Sequence, residues 1–242
     1  MRQENVESYV HFSVSAVGGF LGGYALLNHH ELFGNAQTSN MIHLVMGLVG
    51  TDFSDVMLRV IDLLLYLTGF ALTIFIPKYL KWNLHICSVV LNTITILLLY
   101  TMPRGVSDYL FLAPVFLSMA FQWNSFKGAE GFLSSSIFST NNLRQFSTSF
   151  FEYLADGDQK HLKKTRFFGM TLLCFHIGVL FSYLASRIWG LNGVLFGLVF
   201  IFFSAVVICL EVRQERKDVR SPYRTARNIA GKAAGTVSGS DA

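Results

Sequence analysis

The sequence predicts an all-α membrane protein of about six transmembrane helices in two repeats, each repeat carrying a polar re-entrant or broken helix. Three observations carry this. Of 242 residues 52% are apolar and 14% charged, against about 45–50% and about 25% in soluble domains. The chain holds several apolar runs near the roughly 20 residues a helix needs to cross a bilayer core. A polar stretch, Phe33-Gly34-Asn35-Ala36-Gln37-Thr38-Ser39-Asn40, returns 102 positions later as Ile137-Phe138-Ser139-Thr140-Asn141-Asn142-Leu143, so that Thr38 matches Thr140 and Asn40 matches Asn142.

Eight apolar or semi-apolar segments follow one another, at about 9–28, 33–50, 57–76, 84–102, 109–124, 132–153, 167–188 and 190–210. No small-residue cleavage pattern follows Met1 to Glu7, so the first span is expected to double as the insertion signal. That span carries Gly18, Gly19, Gly22 and Gly23, two overlapping small-xxx-small pairs of the kind that let membrane helices approach closely; helix packing is favoured over ligand contact. His29-His30-Glu31 lacks a third ligand at helical spacing and reads as an interfacial turn rather than a metal site.

The second and sixth segments are too polar between Asn35 and Asn40, and between Ser134 and Ser149, to face lipid; they must be buried in protein or line a cavity. The third segment ends in Pro77-Lys78 and Lys81-Trp82, a basic and aromatic membrane edge, and Trp82, Trp123 and Trp189 read as interface anchors. Asp62, beside Arg59, is close enough to a segment end to reach the interface. His176 lies deeper in its segment, where a histidine bonded to a neighbouring helix is the commoner case and a proton relay the rarer one. Cys87, Cys174 and Cys209 have no paired spacing and read as packing residues. Tyr66-Leu67-Thr68-Gly69 resembles Phe175-His176-Ile177-Gly178, with seven extra residues taken up by the charged loop from Asp156 to Arg166.

Whether the polar segments cross decides how the repeats relate. Re-entrant segments leave three spans per half and inverted halves, while crossing segments give four and parallel halves. Leaving out the tail and Arg144 within the sixth segment, six spans with both termini cytoplasmic put eight lysines and arginines inside (Arg2, Lys78, Lys81, Lys127, Lys160, Lys163, Lys164, Arg166) against three outside (Arg59, Arg104, Arg187), whereas eight spans give seven against four. The positive-inside rule favours six. Residues 1–210 are therefore read as a transmembrane domain, with repeat one at about 9–102 and repeat two at about 109–210. Residues 211–242 carry seven basic and four acidic side chains and read as a disordered cytoplasmic tail near anionic lipid, not as a nucleic-acid site.

Several blocks together, namely Gly18 to Tyr24, Phe33 to Asn40, Phe121-Gln122, Ser125-Phe126, Glu130-Gly131 and Ser139 to Arg144, resemble the YoaK-like family of bacterial polytopic membrane proteins, whose domain has no known function. The resemblance spans nearly all of the chain up to about residue 210 and implies a multi-pass protein of the bacterial inner membrane. Two departures stand out. The family's Thr-Gly-Asn core has Ser39 and Asn141 at its middle position here, where glycine would permit a positive φ. The family's first-span aspartate is replaced by Gly22, which removes a carboxylate suited to proton coupling.

Asn35, Gln37, Thr38 and Asn40 on one side, and Gln122, Asn124, Thr140, Asn141 and Asn142 on the other, are the expected binding residues, offering donors and acceptors without fixed charge. A transporter or channel-like protein for a small polar solute is the favoured reading. A non-transporting scaffold whose polar side chains bond only to one another is the alternative. No nucleophile and base share a suggestive spacing, Glu130 with His29 or His30 being the best that folding could assemble, and there is no phosphate-binding or dinucleotide motif. Neither an enzyme nor a cofactor or metal is expected; the expected partners are the lipid bilayer and the solute.

Overall fold

The computed structural model describes residues 3–29, 32–50, 53–214 and 216; His30, Glu31, Arg2 and the tail beyond Arg216 lie outside them. The described chain folds into eight α-helices: α1 (Gln3–Asn28), α2 (Thr38–Val49), α3 (Phe53–Phe75), α4 (Leu84–Thr101), α5 (Asp108–Ser125), α6 (Thr140–Asp156), α7 (Gln159–Trp189) and α8 (197–214). Four helical stretches are long and apolar enough to cross a membrane: Val6–Asn28, Phe53–Leu80, Leu84–Thr101 and Gln159–Gln214. The last has 56 residues and would be about 84 Å long if straight, more than twice a ~30 Å bilayer core. It is folded instead. Gly190, at φ +58, ends α7, a 3₁₀ turn follows, and α8 returns so that Phe200 meets Phe181 and Phe20 with ring centroids 5.6 and 5.7 Å apart. α5, whose last turns hold Gln122, Asn124 and Ser125, falls outside the four.

Local chemistry marks the boundaries. Asn83 accepts the amide of Ile86 at 3.1 Å and starts α4, and Asp158 accepts that of Lys160 at 2.9 Å and starts α7, each satisfying an orphan donor of a first turn. Gly157, at φ +70, ends α6. Several hydroxyls within the apolar helices bond back to their own turns, as Thr68 to Leu64 and Thr171 to Phe167, while those of Ser88, Ser182 and Ser204 are buried without a partner. One feature is not helical. Gly128–Ala129 pairs with Phe132–Leu133 about a turn in which Glu130 and Gly131 both have positive φ, 56 and 81°, the conformation of a type I′ hairpin.

Bonds at the helix ends give the helix directions. At one face, the terminal face, Ser8 donates to Glu130 at 2.6 Å, and His85 meets Glu211 at 2.6 Å and the Ser125 carbonyl at 3.2 Å. At the opposite face Tyr24 donates to the Leu191 carbonyl at 3.1 Å, Asn28 to Ser186 at 3.0 Å, and His29 meets Asp108 at 2.7 Å. α1, α4 and α7 therefore run away from the terminal face, and α3, α5 and α8 run towards it. α1 lies along α7 and α3 along α5. Gly178 sits at the first crossing, where an added Cβ would strike the Ala16 carbonyl, and Gly69 at the second, where it would strike that of Leu117 at 2.5 Å.

Polar side chains are gathered inside the fold and large apolar ones line much of its outside, as a protein in lipid requires. Ser15, Ser118, Gln122, Ser136, Thr171 and Ser182 are wholly buried. Meanwhile Met41, Ile42, Val45, Met46, Leu48 and Val49 of α2 are all exposed, a contiguous patch of the kind that marks lipid or partner contact.

Candidate functional site: two polar loops between two cavities

Each polar segment enters the fold as an irregular loop and turns back as a helix. The first, Leu32 to Gln37, comes from the opposite face, and α2 returns to it. The second, Ser134 to Ser139, comes from the hairpin at the terminal face, and α6 returns there, Thr165 donating to Ser149 at 3.0 Å. The two helices begin alike. Thr38 and Thr140 are their first residues and both are exposed; Asn40 and Asn142 are their third and both are buried. The residues before them, Gln37 and Ser139, have similar backbones (φ −95 and −104°) and accept the amides of Met41 and Leu143 at 2.8 Å.

The loops meet at Asn35. Its side chain is fully buried, and Nδ2 donates to the Gly18 carbonyl at 2.8 Å and to the Ile137 carbonyl at 2.6 Å. Tyr66 of α3 donates to the Asn35 carbonyl at 2.9 Å, so α1, α3 and the second loop all converge on one residue. Oδ1 of Asn35 has no partner, and neither has the buried Nε2 of Gln37. Gln37 Oε1 accepts only a long 3.3 Å bond from Asn40. An amide group left without a partner in an apolar interior costs about 1–3 kcal/mol, so these are the atoms with capacity for a further ligand.

The second loop is largely satisfied internally, although Ser139 Oγ, and His11 Nδ1 and Asn92 Oδ1 beside it, have no partner. Asn142 Nδ2 donates to the Ser135 carbonyl at 2.7 Å, and its Oδ1 accepts from Ser134 at 3.0 Å. Ser134 also meets His11 Nε2 at 2.9 Å. Gln122 donates to the Val14 carbonyl at 3.0 Å and to Ser136 at 3.3 Å, and it accepts from Asn92 at 2.7 Å. Asn124 donates to Thr73 at 2.6 Å, and Asn141 accepts from Arg144 at 3.0 Å. Ser134 and Ser136 come from the polar stretch the sequence marks, whereas His11 and Asn92 belong to this network although no motif singles them out. For Asn92 a signal does exist, an asparagine amid the apolar Val90-Leu91 and Ile94 of α4.

Two cavities flank the Asn35 junction. One of about 680 Å³ at the opposite face is lined by Ser39, Asn40, His43, Asp55, Arg59 and Tyr109 among others. Another of about 360 Å³ at the terminal face is lined by Trp123, Asn124, Lys127, Ser135, Phe138 and Asn141 among others. The expected site residues are thus divided: Asn40 lines the first cavity and Asn124 and Asn141 the second, while Asn35 stands between them and Thr38 and Thr140 face outward. The four glycines of α1 are divided as well. A Cβ on Gly18 would strike the Ser136 carbonyl and one on Gly22 would lie 2.5 Å from Asn35 Nδ2, whereas Gly19 and Gly23 meet Phe175, Val179 and Ser182 of α7.

A family model described as a protein of unknown function, DUF1275, matches residues 10–208. The chain belongs to this family. Neither a curated protein nor a solved structure matches it.

Other residues of this DUF1275 chain sit differently from the sequence expectation. Ser39 and Asn141 are second residues of helices, and neither has positive φ, so the backbone there does not require glycine. Trp123 is half-buried and packs edge-on against Phe138 at 4.7 Å, while Trp82 and Trp189 are exposed. His176 is exposed and bonds to its own helix at the Leu172 carbonyl, 2.7 Å away. His29 and Glu130 lie at opposite faces and form no pair. Among the described residues no group of three His, Cys, Asp or Glu side chains is placed to hold a metal ion.

Proposed function

We propose that this chain crosses the cell membrane six times, as two inverted repeats at about 9–102 and 109–210, and that their junction binds or passes a small polar solute. Repeat one contributes α1, α3 and α4, and repeat two α5, α7 and α8; α2 and α6 are re-entrant. The reciprocal packing of α1 on α7 and α5 on α3, with Gly178 and Gly69 at matching crossings, supports the repeats. α1 and α5 run in opposite directions, as inversion demands. Lys127 and Lys163 lie at the terminal face with the start of α1 and the end of α8, so the positive-inside rule makes that face cytoplasmic, and the YoaK-like resemblance makes the membrane the bacterial inner one.

The observation that carries the solute reading is that two of the buried atoms without partners, Asn35 Oδ1 and Gln37 Nε2, lie together at the junction between cavities that open to opposite faces. One acceptor and one donor suit a small neutral or dipolar solute that offers both. The scaffold alternative has its own support, since Gln122, Asn124 and Asn142 bond only to protein.

Asn40→Ala separates the two. The bond from Asn40 to Gln37 is long, so the variant is expected to accumulate and melt within about 1 kcal/mol of the parent. Detergent-purified protein is screened by thermal shift against a panel of small metabolites and ions. A stabilising solute whose shift falls in Asn40→Ala supports the pathway, because a ligand at one hundred times its dissociation constant adds about 2.7 kcal/mol. A panel without shifts, or shifts the variant retains in full, favours the scaffold.

A further inference from the structure

Asp62 is the charge this fold leaves unexplained. Only 1% of it is exposed, and neither carboxylate oxygen has a hydrogen-bond partner. Arg59, one turn away, is engaged elsewhere: its Nε meets Asp55 at 2.7 Å and its guanidinium lies 4.9 Å over the Tyr109 ring.

The position of Asp62 is as telling as its isolation. The buried face of α3 presents Arg59, Asp62, Tyr66, Gly69 and Thr73 in order. Arg59 lines the larger cavity, Tyr66 holds Asn35, and Thr73 accepts the bond of Asn124, which lines the smaller one. This one helix face therefore runs from cavity to cavity, with Asp62 between the first cavity and the junction.

From this placement we infer that Asp62 is a proton-binding site of the pathway, charged by water from the cavity at the opposite face. The inference rests on the pathway reading above. A carboxylate away from water and without donors is favoured in its neutral form. A metal cation needs several further oxygen ligands, which are not gathered here, whereas a proton needs a single oxygen. The step is an acid–base exchange: cavity hydronium gives its proton to Asp62, forming one O–H bond and leaving water, and the reverse returns it. The titratable groups bearing on it are Asp55, Arg59 and Tyr66 on α3, Asp108 and Tyr109 on α5, His29 at the end of α1 and His43 on α2. Asp55 engages Arg59 and Asp108 engages His29, so the guanidinium nearest Asp62 already has a carboxylate partner.

The test is infrared difference spectroscopy of the full chain in phosphatidylcholine vesicles, recorded as the pH is raised. The expected result is a protonated-carboxyl C=O band that disappears with rising pH, is missing in Asp62→Asn, and is shifted in frequency in Asp62→Glu. No titrating carboxyl band, or one that survives both substitutions unchanged, overturns the proposal. Should Asp62→Asn fail to accumulate, Asp62→Glu alone decides, because the band must move if Asp62 is its source. The two readings also fail separately: a titrating Asp62 band with no stabilising solute leaves the proton site and sinks the solute pathway, and a stabilising solute without the band does the reverse.

Discussion

Gly178→Val is expected to abolish the folded protein. Position 178 lies where α7 crosses α1, and a Cβ there would strike the Ala16 carbonyl and the Phe20 amide nitrogen. Both are backbone atoms of a regular helix, so no side chain can turn aside to make room. The two helices must separate, and overpacking of this kind costs about 1–3 kcal/mol even before the rest of the interface loosens with it. Since domains are stable by only about 5–15 kcal/mol, an interface this extensive has little reserve. Membrane-fraction yield and a fluorescence-detected size-exclusion profile provide the check; a monodisperse, normally melting Gly178→Val would show that the α1–α7 crossing is looser than described. Gly178→Ala places the same Cβ and should show the same defect in milder form.

Asn35→Ala is expected to lower stability by about 3 kcal/mol, because it removes two hydrogen bonds at about 1 kcal/mol each and leaves the Ile137 carbonyl without that partner. Gly18 loses less, since its carbonyl stays within a helix. Asn35→Asp makes the sharper comparison: the shape is kept, but a donor aimed at two carbonyl oxygens becomes an acceptor. It should therefore destabilise more than alanine, unless the new carboxyl is protonated, in which case acid should restore part of the loss. Melting of all three proteins in one detergent, at neutral and acid pH, reads this directly. Equal melting for Asn35→Ala and the parent would mean that the Asn35 bonds contribute nothing net.

All eight segments expected from apolar runs correspond to helices, and the polar blocks at Asn35–Asn40 and Thr140–Asn142 mark the two helix starts, because a helix that must avoid lipid carries that requirement in its own residues. The relation between side chains that compete for one partner is harder to read. Arg59 beside Asp62 suggests an interfacial pair, yet Asp55 stands four residues before Arg59, a spacing and order that favour ion pairing on a helix, and this leaves Asp62 alone. The hairpin at Gly128–Leu133 is hidden by its brevity, although two positive-φ positions, Glu130 and Gly131, sit between its strands. The division of the site between two cavities is not legible at all: it depends on which way each helix runs, and polarity alone carries no direction.

The packing of α1 along α7 also bears on how the chain is made. The first helix to enter the membrane has its main neighbour about 130–180 residues away in sequence, so its glycine-lined flank must wait beside lipid or a chaperone while α2 to α6 are synthesised. A shorter delay holds α3 until α5 arrives. The packing of α1 therefore cannot be completed as it emerges, and closes only when α7 is in place. Interruption of synthesis before Gln159 would release a chain whose α1 has lost its partner, a ready substrate for membrane quality-control proteases.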